Sequence, residues 1–236
     1  MSHKRRSKIT ALAVTTPLML TGCMVAPLST LDPAGPHAGS IARLWWVMLA
    51  GAGILAALVF VLLAMAFRRR GTPGEGNPRL WIGALGLAMP VAVLGALLIY
   101  ALLAGVATLP NPAPDTVRIA AESRRYGWRF TTGGGRVSEG VLHIPAGRPV
   151  DLAITSVDVI HSLWIPRLAG KMDAIPGHIN VLRVHADRPG TYRGECAEYC
   201  GVGHKDHGFT VIAYDAAGWA RWTGGNPMSA NRGGDR

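Results

Sequence analysis

Cys196-Ala197-Glu198-Tyr199-Cys200-Gly201-Val202-Gly203-His204-Lys205-Asp206-His207 places two thiols and two imidazoles within twelve residues. A further histidine stands upstream in Asp158-Val159-Ile160-His161-Ser162. Thiolate and imidazole together suit copper, zinc or iron, and a short loop can gather them around one centre. Taken alone, the cysteine pair favours a disulfide in an oxidising compartment, and two thiolates with two histidines also suit zinc. Covalent haem attachment is not indicated, because no Cys-x-x-Cys-His is present.

The surroundings of the loop narrow the choice. From Val117 onward the chain reads as short strands: Val117–Ala120, Val150–Thr155, Ile179–Val184 and Phe209–Tyr214 alternate apolar with small or polar residues. Gly133-Gly134-Gly135, Pro145-Ala146-Gly147, Pro176-Gly177 and Pro189-Gly190 punctuate them as turns. No amphipathic helix is expected before residue 215. The pattern predicts an all-β sandwich or barrel over 115–222, followed by a disordered tail over 223–236. A barrel with one early histidine and a late Cys/His loop points to a cupredoxin-like Greek-key fold. His161 is then the early ligand, and the Cys196–His207 loop supplies the others.

The first half of the chain is an anchor. Leu44–Phe67 is an uncharged apolar run, long enough as a helix to cross a hydrocarbon core of ~30 Å. Trp45 and Trp46 open it at an interfacial position, and Arg68, Arg69 and Arg70 stop it. A second run, Leu80–Leu109, contains Pro90, which removes one helix hydrogen bond and is expected to kink it. Transmembrane helices are therefore expected at about 44–67 and 80–107, as a helical hairpin within an anchor of 23–110. The loop between them carries Arg68, Arg69, Arg70 and Arg79 against Glu75 alone, which puts it in the cytoplasm and the rest of the chain outside. Residues 1–22, with Lys4, Arg5, Arg6 and Lys8 ahead of a short apolar stretch, read as a leader. It ends in Leu20-Thr21-Gly22-Cys23, which resembles a bacterial lipobox and makes Cys23 the expected lipidation site. Thr108–Pro114 is a Pro-rich linker.

The net charge of +10 is concentrated in the first half of the chain. Residues 1–114 carry nine Lys/Arg against two Asp/Glu, whereas 115–236 carry fifteen against twelve. A mild excess without a clustered basic face is not the footprint of a nucleic-acid binder.

Ser156-x-Asp158-Val159-x-His161-Ser162, Lys171-x-Asp173-x-x-Pro176-Gly177 and Cys196-x-Glu198-x-Cys200-x-x-x-His204, in that order behind two apolar helices, resemble cytochrome c oxidase subunit II. The resemblance covers residues 23–222. It implies a dinuclear copper centre, CuA, bridged by Cys196 and Cys200, with His161 and His204 each on one copper and the Glu198 carbonyl as a weak ligand. It also implies a magnesium ion held by the Glu198 carboxylate at the boundary with subunit I. His207 departs from the pattern, which has methionine there as a weak axial ligand; by position and donor type it is assigned to the metal shell. Tyr126 and Trp128 correspond to the aromatic pair that takes electrons from cytochrome c, the second purpose open to them being core packing. Asp158, Asp173, Glu139 and Glu122 are the acids available to steer a basic donor. Pro78 stands three residues before Trp81, where many members of that family carry a glutamate serving proton uptake, and Glu75 is displaced from that position.

The implied function is that of the oxidase subunit which receives electrons from cytochrome c and passes them to haem in subunit I. Oxygen reduction and proton pumping belong to that other subunit. The implied setting is the bacterial cytoplasmic membrane, with the C-terminal domain outside and further oxidase subunits as neighbours. Two other readings of the same layout are a quinol-oxidase-like structural subunit with impaired copper binding and a membrane-anchored copper-delivery protein. His143, His178 and His185 are expected on strands or at the surface.

Overall fold

The computed structural model describes residues 26–68, 77–106, 109–110 and 116–224. The leader and Cys23, Arg69, Arg70 and Glu75, most of the linker, and the tail beyond Gly224 lie outside the described residues. Two compact units are present: one holds Ser40–Leu109, the other joins residues 26–39 to 110 and 116–224.

The helical unit follows from composition. Helix α1 runs Pro36–Arg68, beginning well ahead of the apolar stretch at Leu44. The second span, Arg79–Val106, changes register along its length. Arg79–Ala88 is π-helical and Met89–Val106 (α2) is α-helical, the Met89 N–H reaching back five residues to the Ala84 carbonyl. The change falls next to Pro90, which has no N–H to give and whose ring collides with the carbonyl four residues before it. The proline thus marks a switch of hydrogen-bond register. Both spans are long and apolar enough to cross a bilayer, with mean hydropathies of 2.7 and 2.4 and no burial in their most apolar windows. Exposed side chains such as Phe60, Ile82 and Leu103 suit lipid rather than water.

The β unit has ten strands: β1 Val117–Arg124, β2 Gly127–Thr132, β3 Val137–Glu139, β4 Val141–Pro145, β5 Val150–Ser156, β6 His161–Trp164, β7 Lys171–Ala174, β8 Asn180–Val184, β9 Gly190–Cys196 and β10 Gly208–Tyr214. They form two five-stranded sheets, in the orders β3-β2-β1-β5-β8 and β4-β10-β9-β6-β7. β1 pairs parallel with β5, and β10 parallel with β4, so each sheet contains a crossover inside an otherwise antiparallel arrangement. This is the cupredoxin-like architecture expected from the sequence. The alternation read from the sequence becomes inward and outward facing: Val150, Leu152 and Ile154 of β5 are fully buried, as are Leu142, Ile144 and Val211 from the facing sheet. Helix α3, Ala216–Thr223, is the last element among the described residues. The Asp215 side chain caps it by accepting from the Gly218 N–H at 2.6 Å, and Gly224 at φ 76° ends it. Residues 223 and 224, expected in the tail, therefore belong to this helix end.

The unit is discontinuous in sequence, which the expected boundary at 115 did not anticipate. Residues 26–39 lie along the Ile165–Ala169 turn and β8. Asp32 pairs with Arg167 at 2.7 Å, the Ala34 N–H donates to the Arg167 carbonyl, and the Asp187 N–H donates to the Ala34 carbonyl. Gly35 is needed for this approach: a Cβ there would overlap the His185 carbonyl oxygen, a backbone atom that cannot swing aside. Gly35→Ala is accordingly expected to cost about 1–3 kcal/mol, the range for forced overpacking. The measurement is the thermal unfolding midpoint of the purified full chain; an unchanged midpoint would show that the strap contributes nothing.

Candidate metal centre

Three connections meet at one end of the β unit. They are the β1–β2 turn around Arg125 and Tyr126, the β5–β6 loop Val157–Ile160, and the β9–β10 loop Ala197–His207. The Val157 N–H donates to the Ser123 carbonyl and the Ala197 N–H to the Ser162 carbonyl, so the loops are stitched by backbone hydrogen bonds. His161 opens β6 and Cys196 closes β9, neighbouring antiparallel strands in register at Leu163 and Cys196. That pairing puts one ligand from each half of the motif side by side, although 35 residues separate them.

The donor atoms converge. The two thiols are free, buried and 4.0 Å apart. Cys196 Sγ lies 3.8 Å from His161 Nδ1 and 3.3 Å from the Glu198 carbonyl oxygen. Cys200 Sγ lies 3.6 Å from His204 Nδ1 and 3.5 Å from His207 Nδ1. His161 and His207 are fully buried. His204 sits on a single 3-10 turn, His204–Asp206, with its ring 5.7 Å from that of Tyr199. Every ligand named from the sequence is therefore within reach of the same two sulfurs, including His207. The Glu198 side chain points elsewhere, to Lys171 at 3.5 Å.

The donor set fits copper chemistry on grounds internal to this chain. Two sulfurs 4.0 Å apart can share an ion at bond lengths of ~2.3 Å. Each imidazole turns Nδ1 toward a sulfur. The far nitrogen of His161, Nε2, is held by Asp158 Oδ1 at 2.8 Å, which leaves Nδ1 available to a metal and fixes the ring. Asp158 is heavily used. Its Oδ1 also accepts from the Val159 N–H, and its Oδ2 from the Arg125 N–H at 2.9 Å. Burial works to raise its carboxyl pKa, but the hydrogen bonds from His161, Arg125 and Val159 outweigh this and hold it well below the usual carboxylate range. Burial and the adjacent Cys196 push the Cys200 thiol up to about 11, so the metal-free pocket favours the neutral thiol. Burial likewise lowers the His207 pKa, with the Gly127 backbone working the other way and His161 and His204 adding to the depression. Its Nε2 is buried with no well-formed hydrogen bond among the described residues, although the Gly127 backbone lies close enough to favour protonation of the ring.

Arg125 is the residue that motif reading missed. Its N–H holds the Asp158 carboxylate while its guanidinium Nε donates to the Cys200 carbonyl at 3.2 Å. One residue thus ties the His161 loop to the cysteine loop. The contact spans 75 residues of sequence, so no local pattern announces it. Asp158 was legible as an acid near a histidine, but as a steering charge rather than as the group that orients the ligand. Loss of such outer-shell support typically costs 10–100-fold in metal affinity. Asp158→Asn is therefore expected to weaken metal retention about tenfold or more, read by chelator competition on the full chain. Retention equal to that of the unmodified chain would show that the carboxylate does not orient His161.

The aromatic pair is divided by the fold. Tyr126 is 43 % exposed and lies on the ligand loop, where a Cβ on Gly203 would come within 2.6 Å of its ring. Trp128 is fully buried beneath the site, 5.6 Å from the His207 ring and 5.6 Å from Phe209. Trp128 therefore offers no surface to a donor, and contact with one falls to Tyr126. Three of the four acids expected to steer a donor are engaged: Glu122 pairs with Arg124 and Glu139 with Arg129, besides the ties of Asp158. His143 hydrogen-bonds Tyr214 and stacks on Trp222, His178 meets Asn180, and His185 lies 3.7 Å from Asp187.

A family model described as cytochrome c oxidase subunit II, periplasmic domain, matches residues 136–214. A cytochrome c oxidase subunit 2 of Alkalihalophilus pseudofirmus is 31% identical over 229 residues, which cover 90% of this chain and 66% of that relative. One of Thermostichus vulcanus is 39% identical over 110 residues, 47% of this chain and 33% of the relative. The chain thus spans from about a third to 66% of the length of these relatives. Among solved structures, the periplasmic domain of subunit II of cytochrome oxidase (CoxB) of Bradyrhizobium japonicum aligns with TM-score 0.46 and 22% identity, over 49% of this chain and 95% of that one.

Proposed function

Because the chain belongs to the cytochrome c oxidase subunit II family, a membrane-anchored type with its β domain outside, we propose that it is the electron-accepting subunit of a haem–copper oxidase. In this reading it takes electrons from cytochrome c and passes them to haem in subunit I. Copper bound here would supply a one-electron carrier. Cys196 and Cys200 would hold it through thiolates, His161, His204 and His207 through imidazoles, and Glu198 through its carbonyl. Asp158 keeps the His161 ring in the tautomer that presents Nδ1, and Arg125 locks the two ligand loops together. Trp128, Phe130 and Phe209 form the apolar floor that excludes water below the ligands. Tyr126 is the ring through which a donor approaches. The helices lie in the bacterial cytoplasmic membrane, Cys23 carries the lipid after removal of residues 1–22, and the Glu198 carboxylate turns to magnesium at the contact with subunit I.

One observation supports this reading above the others: two free, buried thiols 4.0 Å apart with three imidazole Nδ1 atoms turned on them. A structural subunit without copper has no need of that set. The full chain, purified in detergent and loaded with copper, is expected to bind two copper ions, give a mixed-valence EPR signal and accept electrons from reduced cytochrome c. Absence of that signal at full copper loading would overturn the reading. Turnover of the assembled oxidase with quinol but not with cytochrome c would favour the quinol-oxidase type.

A further inference from the structure

Among the donors at the centre, four are set apart by geometry. The ligand atoms of His161, Cys196, Cys200 and His207 all lie within 4.8 Å of one another, and all four residues are buried. His204 is not in that group. Its Nδ1 lies 3.6 Å from Cys200 Sγ, but the residue stands on a one-turn helix and is partly exposed against Tyr199. His207, by contrast, sits at the foot of β10, its carbonyl accepting from the Cys196 N–H, so backbone pairing positions it beside the first cysteine.

We propose that His161, Cys196, Cys200 and His207 form a self-sufficient Cys2His2 site that closes around a single divalent d10 ion, zinc, before and without the participation of His204. The inference takes the copper reading's location for the site but not its redox chemistry. Closed tetrahedral coordination by two thiolates and two imidazoles is the arrangement of structural zinc sites, with bonds of ~2.3 Å to sulfur and ~2.0–2.1 Å to nitrogen. A tetrahedron of those bonds has edges somewhat under ~4 Å, so atoms already within 4.8 Å need only a modest contraction. Two thiolates balance the charge of a divalent ion, and a neutral ion–ligand unit is the form that a buried site tolerates. The His207 ring is fully buried with its Nδ1 3.5 Å from Cys200 Sγ, so this nitrogen faces the sulfurs rather than water. The second metal position has only His204 and the Glu198 carbonyl of its own and shares both thiolates. The two positions are therefore unequal: loading is stepwise, and zinc competes with copper for the first.

The test is a zinc titration of the reduced, metal-free full chain in detergent, followed by chelator competition. One equivalent of zinc is expected to be retained tightly. His204→Ala is expected to hold zinc within about twofold of the unmodified chain. His207→Ala is expected to lose more than about tenfold in affinity, at least the loss seen when even an outer-shell partner of a ligand is removed. His207→Met, with a side chain that fills the same pocket, is expected to show the same zinc loss, and separates ligation from folding should the alanine variant unfold. Substitution of cobalt(II) for zinc gives an optical report of tetrahedral sulfur ligation. Equal losses in the His204 and His207 variants, two equivalent zinc sites, or no retained zinc would each overturn the proposal. The copper result is independent. A mixed-valence copper signal with a failed zinc pattern retires this inference and leaves the electron-transfer reading standing, and the reverse pair of results does the opposite.

Discussion

Trp128→Ala is expected to lower the stability of the β unit by about 3–5 kcal/mol, the range for deleting a buried tryptophan from a packed core. A domain of this kind is stable by only ~5–15 kcal/mol, so one substitution removes a large share of the total. The residue is fully buried at an inward position of β2, stacked on Phe130 with ring centres 6.4 Å apart and packed against Phe209. It also lies 5.6 Å from the His207 ring and 6.4 Å from that of His161, so the cavity would open beneath two ligands. Metal retention should fall together with stability. Its Nε1 has no hydrogen-bond partner among the described residues, so Trp128→Phe gives up volume but no hydrogen bond and is expected to be much milder. Denaturant unfolding of the full chain decides the matter: a loss below about 1 kcal/mol for the alanine variant would remove Trp128 from the core.

Under the proposed function, Cys196→Ser is expected to abolish two-copper binding and, with it, electron acceptance from cytochrome c. A serine hydroxyl is a harder donor than a thiolate and does not ionise near neutral pH, so it cannot bridge soft metal ions. Cys196 is the last residue of β9, with His161 Nδ1, the Glu198 carbonyl and Cys200 Sγ all within 4.0 Å of its sulfur. No neighbouring sulfur among the described residues can replace it, since Cys200 is already in the set. The expected readout is loss of the mixed-valence EPR signal and of single-turnover electron transfer, with the β fold kept because the exchange is nearly isosteric. Wild-type transfer rates in this variant would sink the assignment of Cys196 as a bridging ligand.

Much of the fold was readable from local pattern. The alternation over Val150–Thr155 and Phe209–Tyr214 corresponds to β5 and β10, and the apolar runs correspond to the two spans. Both signals are local: a strand facing a core repeats every two residues, and a bilayer demands an unbroken apolar helix. The boundaries were less legible. Helix α1 starts at Pro36 because a helix continues beyond its apolar part wherever the backbone can hydrogen-bond to itself. The strap of residues 26–39 carries no strand pattern; it is fixed by the Asp32–Arg167 pair and by the room that Gly35 leaves.

The candidate centre divides in the same way. Cys196, Cys200, His204 and His207 lie close in sequence and announce a metal by donor type and spacing alone, and the Asp158-x-x-His161 motif adds the early ligand. Sequence by itself thus named the candidate metal donors, the two apolar spans and the all-β domain, because each rests on residue type or short-range period. Tertiary structure alone decided which donors share one point, that Trp128 lies under the site while Tyr126 lies on it, and that Arg125 joins the two ligand loops. Those facts depend on strands β6 and β9 coming into register and on a guanidinium reaching across 75 residues. Such contacts arise from sheet topology, and no local spacing encodes them.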